Sequence, residues 1–193
     1  MTRAHVIDGR RIDVTVHPGV PRILPGAEAA RVVAAALAAA GAPAAASLSL
    51  VLTDDAELAE LNERHLGHRG PTDVLSFPLL PPASFPAHEG MAGRAAAARP
   101  GRPPAADAGP RFVLPPGRRL HLGDIAVSVE RAIEQASDGR GGQTGDVRWD
   151  AAAELRLLLT HGALHVCGWD HADPAEEAAM RALERDLLGP VPG

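Results

Sequence analysis

The chain has 193 residues, a formal charge of −5 at pH 7, one cysteine and only 3% aromatic residues. The acidic balance excludes indiscriminate nucleic-acid binding, which is mostly phosphate neutralisation, though it leaves room for a local basic groove. A lone cysteine, Cys167, excludes an internal disulfide, and the length suits a single domain spanning 1–193. No charged segment followed by an apolar run opens the chain, so a cytoplasmic protein is expected. The uncharged stretch 32–52 is long enough for a membrane span, but Gly41 and Pro43 interrupt it and it reads as helix, turn and strand.

RIDVTVH at 11–17 alternates Ile12, Val14 and Val16 with polar residues, a half-buried strand pattern. Residues 27–40 read as an Ala-rich helix, and SLSLVLT at 47–53 as a second strand. Thr53 or Asp54 can cap the helix that follows, AELAELNERHL. TDVLSFP at 72–78 and LHLGDIAVSVE at 120–130 supply strands three and four, with a short helix at RAIEQA. Between Leu79 and Leu120 lie nine of the 18 prolines, and six arginines stand against Glu89 and Asp107. This composition predicts a mobile surface insertion at about 79–119, the most basic part of the chain. A second loop is expected at 137–146. From Asp150 a long helix, apolar on nearly every side in its second half, reads as the buried central helix, with Gly168 ending it. Asp173, Pro174 and Glu176 mark the start of the last helix as N-cap, first position and capping-box partner, and Gly189 and Pro190 mark its stop.

The end of the central helix carries the chemistry. His161 and His165 stand four apart, so both imidazoles leave one helix face roughly 5–6 Å apart. Gly168 then breaks the helix, and His171 can return from the turn as a third ligand. Three ligands leave a tetrahedral zinc one open position, as in catalytic sites that acidify a water molecule. Cys167 faces about 200° away from His165 on the helix and is expected to be a small buried hydrophobe. Asp170 adjoins His171, either as a ligand or as a carboxylate that orients an imidazole. The spacing is also that of the metzincin peptidases, whose motif places glutamate directly after the first histidine. Here that position is Gly162, so the general base of peptide cleavage is absent.

HGALHVCGWDH at 161–171 resembles HGxLHLxGYDH, the signature of the YbeY rRNA maturation factors, bacterial zinc-dependent endoribonucleases, with Val166 for leucine and Trp169 for tyrosine. PTDVLSFP at 71–78 and LGDIAVS at 122–128 resemble the family's other two signatures, in the same order. The resemblance implies an α/β (α+β) domain: a small four-stranded mixed sheet packed with helices, the central one binding one Zn²⁺ through His161, His165 and His171. It implies cleavage of single-stranded RNA, in 3′-end maturation of small-subunit ribosomal RNA and in ribosome quality control. The implied partners are the ribosome, a small-subunit ribosomal protein and an Era-type GTPase, with no membrane. Many members carry an arginine before the TDVLSFP signature, thought to serve the substrate phosphate. The matching position here is Leu66, with Arg64 and Arg69 as neighbouring substitutes.

An RNA strand brings its own 2′-hydroxyl nucleophile, which makes the missing glutamate less damaging for RNA than for peptides. Asp73, Ser76 and Asp124 are candidates to line the cleft. Alternatively Thr72 and Asp73 form a turn, Ser76 bonds to backbone and Asp124 holds a loop. The catalytic base is not assigned. Two rival readings are a non-catalytic ribosome assembly factor with a structural zinc and a metzincin-like metallopeptidase.

Overall fold

The computed structural model describes residues 1–70, 72–91, 118–138 and 150–189. One mixed sheet contains β1 (Thr2–Ile7), β2 (Arg10–Val16), β3 (Ala46–Thr53), β4 (Val74–Pro78) and β5 (Leu120–Ser128), in the spatial order β1-β2-β3-β5-β4. The inner pairs β2/β3 and β3/β5 are parallel, and the edge strands β1 and β4 run antiparallel to their neighbours. The sheet thus has five strands, not four. The additional one, β1, is an edge strand whose side chains are mostly exposed, so it lacks the apolar alternation that marks the inner strands. Its sequence signal is the Asp8–Gly9 dipeptide: both residues have positive φ, 47° and 82°, as a two-residue hairpin turn matched to strand twist requires.

Among the described residues five helices surround the sheet: α1 (Gly26–Ala39), α2 (Asp55–Leu66), α3 (Val129–Ser137), α4 (Ala151–Val166) and α5 (Pro174–Leu188). The predicted caps form. Asp54 accepts from the Glu57 N–H, Asp150 from Ala153, and Asp173 from Ala175 and Glu176, each worth about 1 kcal/mol. The capping box at α5 is only half made, because the Glu176 carboxylate turns inward and accepts the Asp170 N–H and a bond from His88 instead.

Strand side chains alternate between the two faces. Leu48, Leu50, Leu52, Ile125 and Val127 join the main core with α1 and α4, while Leu75 and Ala126 meet Leu58 of α2 in a smaller cluster. α4 is apolar on almost all sides because the sheet, α1, α3 and α5 all pack against it. The uncharged stretch 32–52 divides into the end of α1, a turn and β3. Among the described residues, no helix is long and apolar enough to cross a membrane.

The segment expected to be a surface insertion from residue 79 starts as part of the packed structure. The Leu79 N–H bonds to the Leu122 carbonyl, Pro82–Ser84 form a 3₁₀ turn, and Phe85 is 7% exposed within the main core. Prolines dominate this stretch in composition, but one aromatic side chain suffices to anchor it. Residues 92–117 of the expected insertion, and 139–146 of the expected second loop, lie outside the described residues. Phe85→Ala is expected to lower the free energy of unfolding by about 3 kcal/mol, as for other buried aromatics. Urea denaturation measures this; a solvent-facing side chain would change it by less than about 0.5 kcal/mol.

Candidate metal centre

His161 and His165 leave the last turns of α4 from one face, 2.9 Å apart at their Nε2 atoms. α4 ends at Cys167, and Gly168 follows with φ of 86°. A Cβ at Gly168 would also lie 2.7 Å from the Pro82 Cα, so both backbone conformation and close approach demand glycine here. The chain then turns His171 back toward the helix. One nitrogen from each of the three rings lies within 4.8 Å of the others, with His161 and His165 half-buried and His171 exposed.

The partners of the outer nitrogens determine what the inner ones can do. His161 Nδ1 lies 2.8 Å from the Glu184 carboxylate, and His165 Nδ1 lies 2.8 Å from the Trp169 carbonyl. Both partners only accept, which assigns the proton of each neutral ring to Nδ1 and leaves the Nε2 lone pairs facing each other. Burial first, and the neighbouring His161 second, push the His165 pKa down to about 4. Two opposed lone pairs at 2.9 Å fit a shared cation, and the donor set suits a borderline metal such as zinc.

Cys167 contributes nothing to this set. It is 1% exposed, and burial raises its thiol pKa to about 12, as expected of a small core residue. Gly162 explains the missing glutamate in physical terms. A Cβ there would sit 3.0 Å from both Ile125 Cγ2 and Val74 Cγ2, and the Gly162 carbonyl accepts the Ser76 hydroxyl at 3.0 Å. This face of α4 is pressed on β4 and β5 and has no room for a carboxylate.

His161 and His171 border two cavities, and His165 borders the larger. The larger, about 450 Å³, is lined among others by Leu66, Asp73, Ser76, Leu80, Trp169 and Asp170. The smaller, about 230 Å³, is lined by His161, His171, Glu177, Met180, Arg181 and Glu184. A family profile described as Endoribonuclease YbeY matches residues 26–191. The chain belongs to the YbeY family.

Among its relatives, an Endoribonuclease YbeY of Mycolicibacterium vanbaalenii is 40% identical over 146 residues, 75% of this chain and 61% of that protein. This chain therefore spans less than two thirds of that relative's length. An Endoribonuclease YbeY of Roseiflexus castenholzii is 33% identical over 179 residues, covering 92% of this chain and 91% of the relative. A solution structure from Thermotoga maritima aligns with a TM-score of 0.44 at 18% identity, over 92% of this chain and 88% of the other.

Within this YbeY-family chain the remaining candidate residues separate. Asp73 lines the larger cavity, but its carboxylate accepts its neighbour's Val74 N–H and a bond from Gln135, which ties the start of β4 to α3. Ser76 lines the cavity while its hydroxyl joins β4 to α4. Asp170 lines it too, and its Oδ1 accepts the His171 N–H. Asp124 is absent from the lining and instead meets His121 at 3.2 Å on β5. Arg64 and Arg69 are also absent; Arg69 is 90% exposed and pairs with Glu63. Leu66, 52% exposed, lines the cavity directly. The arginine that shares a cavity with His161 and His171 is Arg181, held 2.6 Å from Glu177.

Glu184 is the candidate site residue that histidine spacing did not reveal. Its signal was nevertheless present: Glu176, Met180 and Glu184 recur every four residues on the buried stripe of α5, and a charge on a buried stripe needs a partner. Glu184→Ala is expected to weaken zinc affinity about 10–100-fold, the usual cost of losing a carboxylate behind a ligating histidine, as measured by chelator competition. Gly162→Glu, which restores the peptidase glutamate, is expected to cost about 3 kcal/mol or more, by forcing an unpaired charge against β4 and β5. Denaturant unfolding tests this, and a stable variant would contradict the packing described.

Proposed function

We propose that this chain is a zinc-dependent, single-strand-specific endoribonuclease acting in 3′-end maturation of small-subunit ribosomal RNA and in ribosome quality control. Its proposed setting is the cytoplasm. Its proposed partners are ribosomal RNA and the small subunit, with a small-subunit ribosomal protein and an Era-type GTPase. The observation that carries the reading is the convergence of three imidazoles, two of them with Nδ1 committed to acceptors, in a chain of the YbeY family.

Zinc held by His161, His165 and His171 would supply Lewis acidity toward water and a phosphate oxygen. The chain's own residues bind and orient. Leu66, Leu80 and Trp169 give the larger cavity an apolar wall, and Asp73 and Asp170 are carboxylates in its lining. Glu184 and the Trp169 carbonyl hold the imidazole protons at Nδ1. No glutamate follows His161, and an RNA strand brings its own 2′-hydroxyl beside the scissile phosphate, so the nucleophile need not be a water activated by a residue at that position. The packing at Gly162 disfavours the peptidase reading for the same reason.

Leu66 favours one second reading, a ribosome assembly factor in which zinc secures the fold, because an apolar side chain stands where a cation would pair with a phosphate, and no Lys or Arg is among the described residues of this lining. Incubation of a single-stranded ribosomal RNA 3′ precursor with zinc-loaded protein separates the two. Cleavage is expected, with a loss of at least about 100-fold in His165→Ala once a bound metal is lost. No cleavage by folded, metallated protein would overturn the enzyme reading in favour of the assembly factor.

A further inference from the structure

We propose that His88 is a positioning residue of the metal centre, clamping through Trp169 and Glu176 the loop that presents His171 and supports His165. This rests on the metal reading above and adds a residue from outside the three signatures. His88 lies in the stretch after β4, and its side chain is 8% exposed. Its ring stacks on the Trp169 indole at 3.9 Å and 8° between planes. Its Nε2 lies 2.8 Å from Oε1 of Glu176, a carboxylate with no solvent exposure, so Nε2 carries the proton and donates. The same Oε1 accepts the Asp170 N–H at 2.9 Å.

One imidazole thus grips two consecutive residues of the loop, Trp169 by its ring and Asp170 through a shared carboxylate. Each of these touches a metal histidine by its other end. The Trp169 carbonyl receives His165 Nδ1, and the Asp170 carboxylate receives the His171 N–H. Close backbone approach seats the clamp: a Cβ at Gly90 would lie 2.2 Å from the Glu176 nitrogen, and one at Gly168 would lie 2.7 Å from Pro82. If the grip is lost, the Trp169–Asp170 peptide is held only by the Asp170 N–H bond to Glu176, and the Trp169 carbonyl is a less firmly placed acceptor for His165 Nδ1. The His165 proton can then move to Nε2, the atom that faces the metal.

The test uses the whole 193-residue chain, with Co²⁺ as the probe. Co²⁺ affinity by chelator competition and the visible d–d spectrum are compared for wild type, His88→Ala, His88→Gln and His88→Phe, beside the Tm of each metal-free protein. In His88→Ala affinity is expected to fall about tenfold, the lower end of the effect for residues supporting a ligand, with an altered d–d spectrum. His88→Gln keeps a donor for Glu176 and is expected to recover part of both; His88→Phe keeps only the stack and recovers less. The Gln variant nearly keeps the side-chain volume and the Phe variant keeps a planar ring, and they decide the matter if His88→Ala does not fold. Folded variants with wild-type affinity and spectrum would overturn the proposal even if their Tm falls, because His88 would then serve packing alone. Failure of the wild type to bind Co²⁺ would instead overturn the metal reading itself.

Discussion

Two acceptors, the Glu184 carboxylate and the Trp169 carbonyl, govern the centre because they decide where the imidazole protons sit. With Nδ1 of His161 and His165 committed outward, the two Nε2 lone pairs confront each other at 2.9 Å. That arrangement is repulsive unless a cation lies between them. Much of the surrounding structure holds these acceptors in place: α5 delivers Glu184, and the turn after α4 delivers the Trp169 carbonyl. The stretch after β4 packs over that turn.

α4 therefore serves two purposes that compete for its surface. Leu155, Leu158, Leu159, Ala163, Leu164 and Val166 are buried in the main core, while His161 and His165 must reach the cavities. Residue 162 falls on the core side of this division, against Val74 and Ile125. Glycine there lets α4 approach β4 closely enough for Ser76 to bond the helix backbone. A metalloprotease frame and a nuclease frame can share histidine spacing and differ in what the intervening helix face packs against. That packing leaves no place for a carboxylate at position 162, the general base of the peptidase motif.

Several features were legible because they depend on residues close in the chain. The spacing of His161, His165 and Gly168 implied a helix, a break and a returning ligand. Asp54, Asp150 and Asp173 announced helix starts, and Leu48, Leu50 and Leu52 announced a buried strand face. β1 was harder to read, because an exposed edge strand lacks the alternation that burial imposes on inner strands. Phe85 was obscured by the prolines around it, whose composition resembles that of a solvated loop. Arg64 and Arg69 were plausible by proximity in sequence, but Arg64 lies in the last turn of α2 and Arg69 just beyond it, where residue 66 lines the cavity and they do not.

The sequence by itself determined the histidine frame, the family and most of the elements, since each rests on spacings of a few residues that backbone geometry converts directly into a shared face or a cap. Only the tertiary structure decided what stands behind the histidines. Glu184 lies 23 residues from His161 and His88 lies 81 residues before Trp169, and no local periodicity links positions so far apart. Their contact depends on α5 and the stretch after β4 packing against the same end of α4. The burial of Glu176 and Glu184, which makes each carboxylate require a donor, exists only once that packing has removed water.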